Sequence, residues 1–138
     1  MSYLLDTNVV IDLLRARATT VRAHYRQVVG SNEAIAISAI TLFELRHRIA
    51  KSSRPEQNSA ALNTLLQSQI EVIPFTDEDA PIAGELTAHL ESQGRRIGPY
   101  DLLIAAQALR TGMTLVTANT SEFNRVPDLQ WEDWTKTD

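Results

Sequence analysis

Tyr3-Leu4-Leu5-Asp6-Thr7-Asn8-Val9-Val10 decides how the rest of the chain is read. Three apolar residues stop at an acid, and the apolar positions after it, Val9-Val10-Ile11 and Leu13-Leu14, follow helical spacing. A strand with no polar face that runs straight into a helix is the opening of a β-α unit whose strand is buried on both sides. The pattern recurs outward from it. A helix carries Thr20 to Val29, Ala34-Ile35-Ala36-Ile37 is a second apolar strand, and Ser38 opens a helix reaching about Lys51. Ser53-Arg54-Pro55-Glu56 has the capping-box spacing and predicts a further helix through Leu62, Leu65 and Leu66. Ile70-Glu71-Val72-Ile73 is a third strand closed by Pro74, and Pro81 fits the first turn of a helix from near Asp79 to Gln93. Gly94 ends that helix. Pro99 begins the most apolar one, through Leu102-Leu103-Ile104-Ala105-Ala106, which Gly112 terminates. Thr114-Leu115-Val116-Thr117 is a fourth strand, and Leu129-Gln130-Trp131 adds a short fifth. Short apolar strands alternating with helices predict an α/β domain, residues 1–138, with helices on both faces of a short parallel sheet of four to five strands.

Composition narrows the function classes. The chain has 138 residues, 43% hydrophobic and 22% charged, which is globular, and no apolar run approaches the ~20 residues of a membrane span. No basic n-region or small-residue cleavage site precedes Leu4, so no signal peptide is expected. Cysteine is absent, which excludes a disulfide framework, thiolate metal sites and a cysteine nucleophile. A soluble cytoplasmic protein is expected. The net charge is −4, yet eleven of the 13 cations are arginine, whose planar fork suits phosphate and carboxylate. Codon usage explains the same bias, so composition leaves the partner open.

In doubly wound sheets ligands bind outside the carboxyl ends of the strands, and four residues occupy that level. Asp6 ends the first strand, as a helix cap or as a ligand. Glu44 is either the last residue of a Thr41-Leu42-Phe43-Glu44 capping box or, with Ser38 as the cap, a residue well inside the third helix. Asp101 shares a helical stripe with Ile104, Ala105 and Ala108. A carboxylate on such a stripe needs compensation, from the helix dipole or, more strongly, from a bound cation. Asn119 follows the fourth strand, capping a short turn or facing the same space, with Glu122 one turn later. Hard oxygen donors without Cys or a paired His select Mg²⁺ or Mn²⁺ over Zn²⁺, and such an ion engages a phosphate substrate. Phosphodiester hydrolysis is the reaction class that follows.

Four segments carry a resemblance over essentially the whole chain, in order: Leu4-Leu5-Asp6-Thr7-Asn8, Ile40-Thr41-Leu42-Phe43-Glu44-Leu45, Pro99-Tyr100-Asp101-Leu102-Leu103-Ile104-Ala105 and Leu115-Val116-Thr117-Ala118-Asn119. They resemble the successive motifs of PIN-domain nucleases and, with the closing Val126-Pro127-Asp128-Leu129 and Glu132-Asp133-Trp134, the VapC-type toxins of bacterial toxin–antitoxin pairs. The resemblance implies a PIN-like three-layer αβα fold and a Mg²⁺- or Mn²⁺-dependent endoribonuclease. It implies an RNA substrate and silencing by a cognate antitoxin, in a homodimer or a toxin–antitoxin hetero-oligomer. It assigns Asp6, Asp101 and Glu44 to the metal and the catalytic set to Asp6, Glu44, Asp101 and Asn119. A fourth acid is usual where this chain has Asn119, so the number of metals stays open, with Glu122 as the carboxylate that restores the charge. On that reading Asn119→Asp retains or raises activity. The hydroxyls of Thr7 and Thr117 position carboxylates or water, or make ordinary turn hydrogen bonds.

His24, His47 and His89 lack metal-ligand spacing and are expected at the surface or its boundary. Arg46-His47-Arg48 with Lys51 and Arg54, and Arg95-Arg96, are solvated faces or grips for RNA phosphates. Two rivals remain. An aspartyl-nucleophile phosphohydrolase wants a second acid two residues after the first, where this chain has Asn8. A catalytically impaired RNA- or protein-binding module draws support from Asn119.

Overall fold

The computed structural model describes residues 1–15 and 19–136. Five strands, β1 (Ser2–Leu5), β2 (Ala34–Ser38), β3 (Ile70–Ile73), β4 (Thr114–Val116) and β5 (Trp131–Glu132), form one sheet in the order β3-β2-β1-β4-β5, and every pairing is parallel. The chain builds outward from β1 in one direction through β2 and β3, then returns to the other side for β4 and β5. That reversal makes a topological switch point between the carboxyl ends of β1 and β4, the position where such sheets open a crevice for ligands.

Among the described residues, seven helices cover the sheet: α1 (Thr7–Leu14), α2 (Thr19–Gly30), α3 (Ala39–Ala50), α4 (Pro55–Leu66), α5 (Asp79–Ser92), α6 (Pro99–Thr111) and α7 (Thr120–Phe123). Side chains alternate across each strand and separate two cores. Tyr3, Leu5, Ile35, Ile37 and Val116 pack with Val9, Val10, Leu13, Leu45 and Leu62 on one face. Leu4, Ala36 and Leu115 pack with Leu86, Leu90, Ile104, Ala105 and Phe123 on the other. The predicted three-layer αβα arrangement is therefore the observed one. Among the described residues, no helix is long and apolar enough to cross a membrane.

Local chemistry accounts for most boundaries. Ser38 caps α3, its hydroxyl accepting from the Ile40 amide at 2.9 Å, so Glu44 lies in the body of the helix and the Thr41–Glu44 capping box is not formed. Gly112 ends α6 in the left-handed conformation (φ 73°), where a Cβ would be strained. Two expectations need correction. The capping box at Ser53 is not used: α4 starts at Pro55 with Arg54 as its cap and no side-chain cap bond. Proline disfavours a helical residue before it, which moves the boundary past Ser53. The fifth strand is Trp131–Glu132 rather than Leu129–Trp131, held where the Leu115 and Thr117 amides reach the Gln130 and Glu132 carbonyls.

An ion pair fastens the second core. Asp79 is fully buried at the start of α5, accepts from the Thr76 amide at 2.8 Å and bonds Arg110 of α6. Burial raises the Asp79 pKa, but the Arg110 guanidinium and the Thr76 amide overcome it and hold the carboxyl below its usual range. Breaking such a pair by removing one partner leaves an uncompensated buried charge.

Candidate active site

Asp6 stands between β1 and α1 at the switch point, 3% exposed. One carboxylate oxygen caps α1, accepting from the Val9 amide at 2.9 Å, and the other accepts from the Thr117 hydroxyl at 2.5 Å. Capping and site-facing roles are thus combined in one side chain. The Asp6 amide donates to the Val116 carbonyl at 3.0 Å, which ties the first and fourth strand ends together beneath the site. Thr117 is itself fixed, its hydroxyl accepting from the Asn119 amide at 2.9 Å. Burial pushes the Asp6 pKa from 3.8 up to about 6, because the bonds from Thr117, Val9 and Asn8 only partly offset the loss of water.

Glu44 reaches the same cleft from α3, where the Thr7 hydroxyl donates to it at 2.7 Å and to the buried Thr41 hydroxyl at 3.3 Å. Asp101 enters from the first turn of α6. Its pKa rises from 3.8 to about 7, first through burial, then through the negative charges of Glu122, Asp6 and Glu44. Three carboxylates from separate segments therefore converge on one cleft of about 480 Å³, whose lining includes Asp6, Glu44, Asp101, His47, Arg48 and Lys51. Among the described residues, no three of His, Cys, Asp or Glu close into a metal-holding group as they stand. The donor set is nonetheless all hard oxygen, and the mutual repulsion raising Asp101 is the kind a cation relieves.

Asn119 and Glu122 form a separate unit at the edge of the site. The Asn119 side-chain amide donates to Glu122 at 2.8 Å, and the other Glu122 oxygen accepts from the Gly98 amide. Burial alone would raise the Glu122 pKa, but the Gly98 and Asn119 amides and the Arg125 charge hold it below its ordinary value. After burial, the negative charge of Glu122 is the next cause of the raised Asp101 pKa. Glu122 therefore latches the turn immediately before α6 and helps set where Asp101 sits. The bond adds a stability cost to Asn119→Asp, whatever its effect on activity: a carboxylate there faces Glu122 and loses the donor. That variant is expected to lose roughly 1–2 kcal/mol of stability in EDTA. Added Mn²⁺ should narrow the difference, and thermal melting with and without the ion reads both.

The basic run divides. His47, Arg48 and Lys51 line the cleft, whereas Arg46 bonds Ser59 at 3.0 Å and Asn63 at 2.7 Å and ties α3 to α4. Arg96 pairs with Glu91 at 3.4 Å, both exposed. His24 stacks on Trp134 with ring centres 5.8 Å apart. The aromatic residues Phe43 and Tyr100, each directly before a site carboxylate, line the same cleft. Their assignment is missing from the sequence reading, although both stand off the buried stripe of their helices, a signal legible in the spacing.

Residues 3–129 match the PIN domain family. The chain is 39% identical over 136 residues to Ribonuclease VapC2 of Rickettsia felis, covering 99% of this chain and 100% of that protein. It is 37% identical over 134 residues to the tRNA(fMet)-specific endonuclease VapC of Shigella flexneri, covering 97% and 98%. Among solved structures, VapBC2 from Rickettsia felis bound to a DNA fragment from their promoter contains a chain that superposes with TM-score 0.91 at 38% identity, covering 97% of this chain and 99% of that one. VapBC-1 from nontypeable Haemophilus influenzae gives 0.88 at 36%, covering 99% and 100%. On these matches the chain belongs to the PIN-domain family, among its VapC members.

Proposed function

We propose that this chain is a divalent-metal-dependent endoribonuclease toxin, using Mg²⁺ or Mn²⁺ to hydrolyse RNA phosphodiester bonds and silenced by a cognate antitoxin. The observation that carries the reading is the convergence of Asp6, Glu44 and Asp101 at the switch point, with Asp101 driven up to about 7 by burial and then by surrounding negative charge. Negative charge is crowded where these three carboxylates meet, and a cation there would let a phosphate approach them. Asp6, Glu44 and Asp101 are the residues that would hold the ion, which when bound supplies Lewis-acid stabilisation of the reacting phosphate and activation of water. The protein's part is preorganisation. Val9 and Thr117 fix the Asp6 carboxylate, Thr7 orients Glu44, and Glu122 with Gly98 holds the turn that delivers Asp101. Hydrolysis adds water across one P–O bond, and His47, Arg48 and Lys51 are placed to bind the flanking phosphates.

The antitoxin reading rests on two features. An acidic cleft attracts a cationic side chain, so an Arg or Lys carried by a partner competes for the metal's place. Beside the cleft, a groove of about 350 Å³ between α1, α3 and α4 is lined by Ile11, Leu14, Leu45, Ile49 and Ala61, and Arg48 borders both. A helical segment of a partner fits an apolar groove of this kind. Assembly as a homodimer or a toxin–antitoxin hetero-oligomer and a cytoplasmic location, where cellular RNA is found, belong to the same proposal.

Purified protein freed of its partner is expected to cut total bacterial RNA at discrete positions in Mn²⁺ or Mg²⁺ and to leave it intact in EDTA. Mapping the new ends tests this directly. RNA that survives at every metal concentration, with a folded protein, overturns the proposal.

A further inference from the structure

Two large aromatic side chains are exposed at the mouth of the acidic cleft: Phe43 is 53% accessible and Tyr100 43%. Their rings meet edge to face, with centres 5.7 Å apart and planes at 69°, and Phe43 also lies parallel to His47 at 6.3 Å. Neither ring belongs to the two cores, which take other residues of these helices, among them Leu42 and Leu45 on α3 and Leu102 and Ile104 on α6. Fold stability therefore does not account for them. Position does: Phe43 directly precedes Glu44, and Tyr100 directly precedes Asp101, so each ring stands one residue from a site carboxylate on its own helix.

We infer that Phe43 and Tyr100 form a stacking platform for one unpaired nucleobase beside the bond to be cut, a reading that rests on the proposed ribonuclease activity. Flat faces bind bases in single strands with little regard to sequence, because every base has a π-face. The charges around the platform match a nucleic-acid strand. His47, Arg48 and Lys51 line the same cleft as the rings, while the acids lie with Asp6, Glu44 and Asp101. The backbone phosphates of a strand with its base on the rings meet Arg48 and Lys51, and the scissile phosphate is turned towards the carboxylates. The cleft volume of about 480 Å³ falls within the range of roughly 300–1,000 Å³ that small-ligand sites occupy, room for one nucleotide unit. A base inside a duplex has both faces covered, so the platform selects loops, bulges and single strands. Stacking on the rings needs no metal, so the base binds before the negative charge of the acids is neutralised.

The test uses a short oligoadenylate carrying one 2-aminopurine, and a matched chain with abasic sites, added to the full-length protein without metal. Wild-type protein should quench the 2-aminopurine, and Phe43→Ala or Tyr100→Ala should weaken binding about tenfold with an unchanged melting temperature. Phe43→Trp and Tyr100→Phe should restore it. The abasic chain should bind the wild type and the alanine variants alike. With bulk tRNA and Mn²⁺, the alanine variants should raise KM while kcat stays close to wild type. Absence of quenching in the wild type, equal affinity in the alanine variants, or equal loss on the abasic chain overturns the platform. So does a loss confined to affinity for the antitoxin, which would make the rings a protein contact. Failure of the wild type to cut any RNA is a separate result and strikes the ribonuclease reading itself.

Discussion

Asp101→Asn is expected to abolish RNA cleavage, and the toxicity of the chain expressed without its partner, while leaving a folded protein that melts higher than wild type in EDTA near neutral pH. The two effects have one cause. Burial first, and then the negative charges of Glu122, Asp6 and Glu44, raise the Asp101 pKa to about 7, so its ionised form is unfavourable in the metal-free fold. Replacing the carboxylate by an amide removes that repulsion and with it one of the three charges that would hold the ion. A metal's stabilisation of the transition state is worth several kcal/mol, so the loss of activity is expected to exceed about a hundredfold. An inactive but unfolded variant would say nothing, which is why melting is measured beside cleavage. Cleavage or toxicity that persists in the soluble, folded variant defeats the mechanism.

The sheet was legible because each short apolar run ends on a polar residue where the chain turns into a helix. The strands end at Leu5, Ser38 and Val116 in the structure, each within one residue of where the sequence reading ends them. β5 starts two residues and ends one residue later than the sequence suggests, because Trp131 is partly exposed and its strand is held by backbone bonds to β4, which leave no apolar period to read. The helix start at Pro55 was missed because the Ser53–Glu56 spacing competes with a steric rule carried by the proline between them.

The site divides in the same way. Asp6, Glu44 and Asp101 could be picked out because they sit at strand ends or on stripes where an acid is costly. The Glu122 latch could not, since Gly98 lies 24 residues away in the chain and meets the carboxylate only in the fold. Asn119 appeared as a substituted ligand, and the structure gives its amide a different immediate partner. Arg46 belongs to a basic run by sequence but faces α4 because its helix turns it away from the cleft. Charge and period are local properties, whereas orientation comes from the elements packed on either side.

In EDTA the melting temperature of the wild type is expected to fall as pH rises from about 4 to about 7, and Mn²⁺ should remove the fall. Asp6 and Asp101 ionise near 3.8 in the unfolded chain but hold their protons to about 6 and about 7 in the fold. Over that window the native state binds more protons than the unfolded state, so stability decreases with pH. The contribution is complete below the lower value and gone above the upper one. For Asp6, buried at 3% exposure, the rise to about 6 corresponds to about 3 kcal/mol once it is fully ionised. Asp79 and Glu122 act in the opposite sense, since their pKa values are lowered, and they withdraw stability only as pH drops below the ordinary carboxylate range. A divalent ion competes with the protons and gains as they leave. At a hundredfold excess over Kd it adds about 2.7 kcal/mol by mass action, or roughly 10 °C for a chain of this size. Asp6→Asn should flatten the pH dependence and cancel much of the metal response together, because one carboxylate underlies both. Melting scans across pH, with EDTA and with Mn²⁺, read the two effects in one experiment. A wild type whose melting is indifferent to Mn²⁺ at pH 8 contradicts the metal site, and one whose melting in EDTA is flat from pH 4 to 7 contradicts the burial that, with charge crowding at Asp101, raises these two carboxylates.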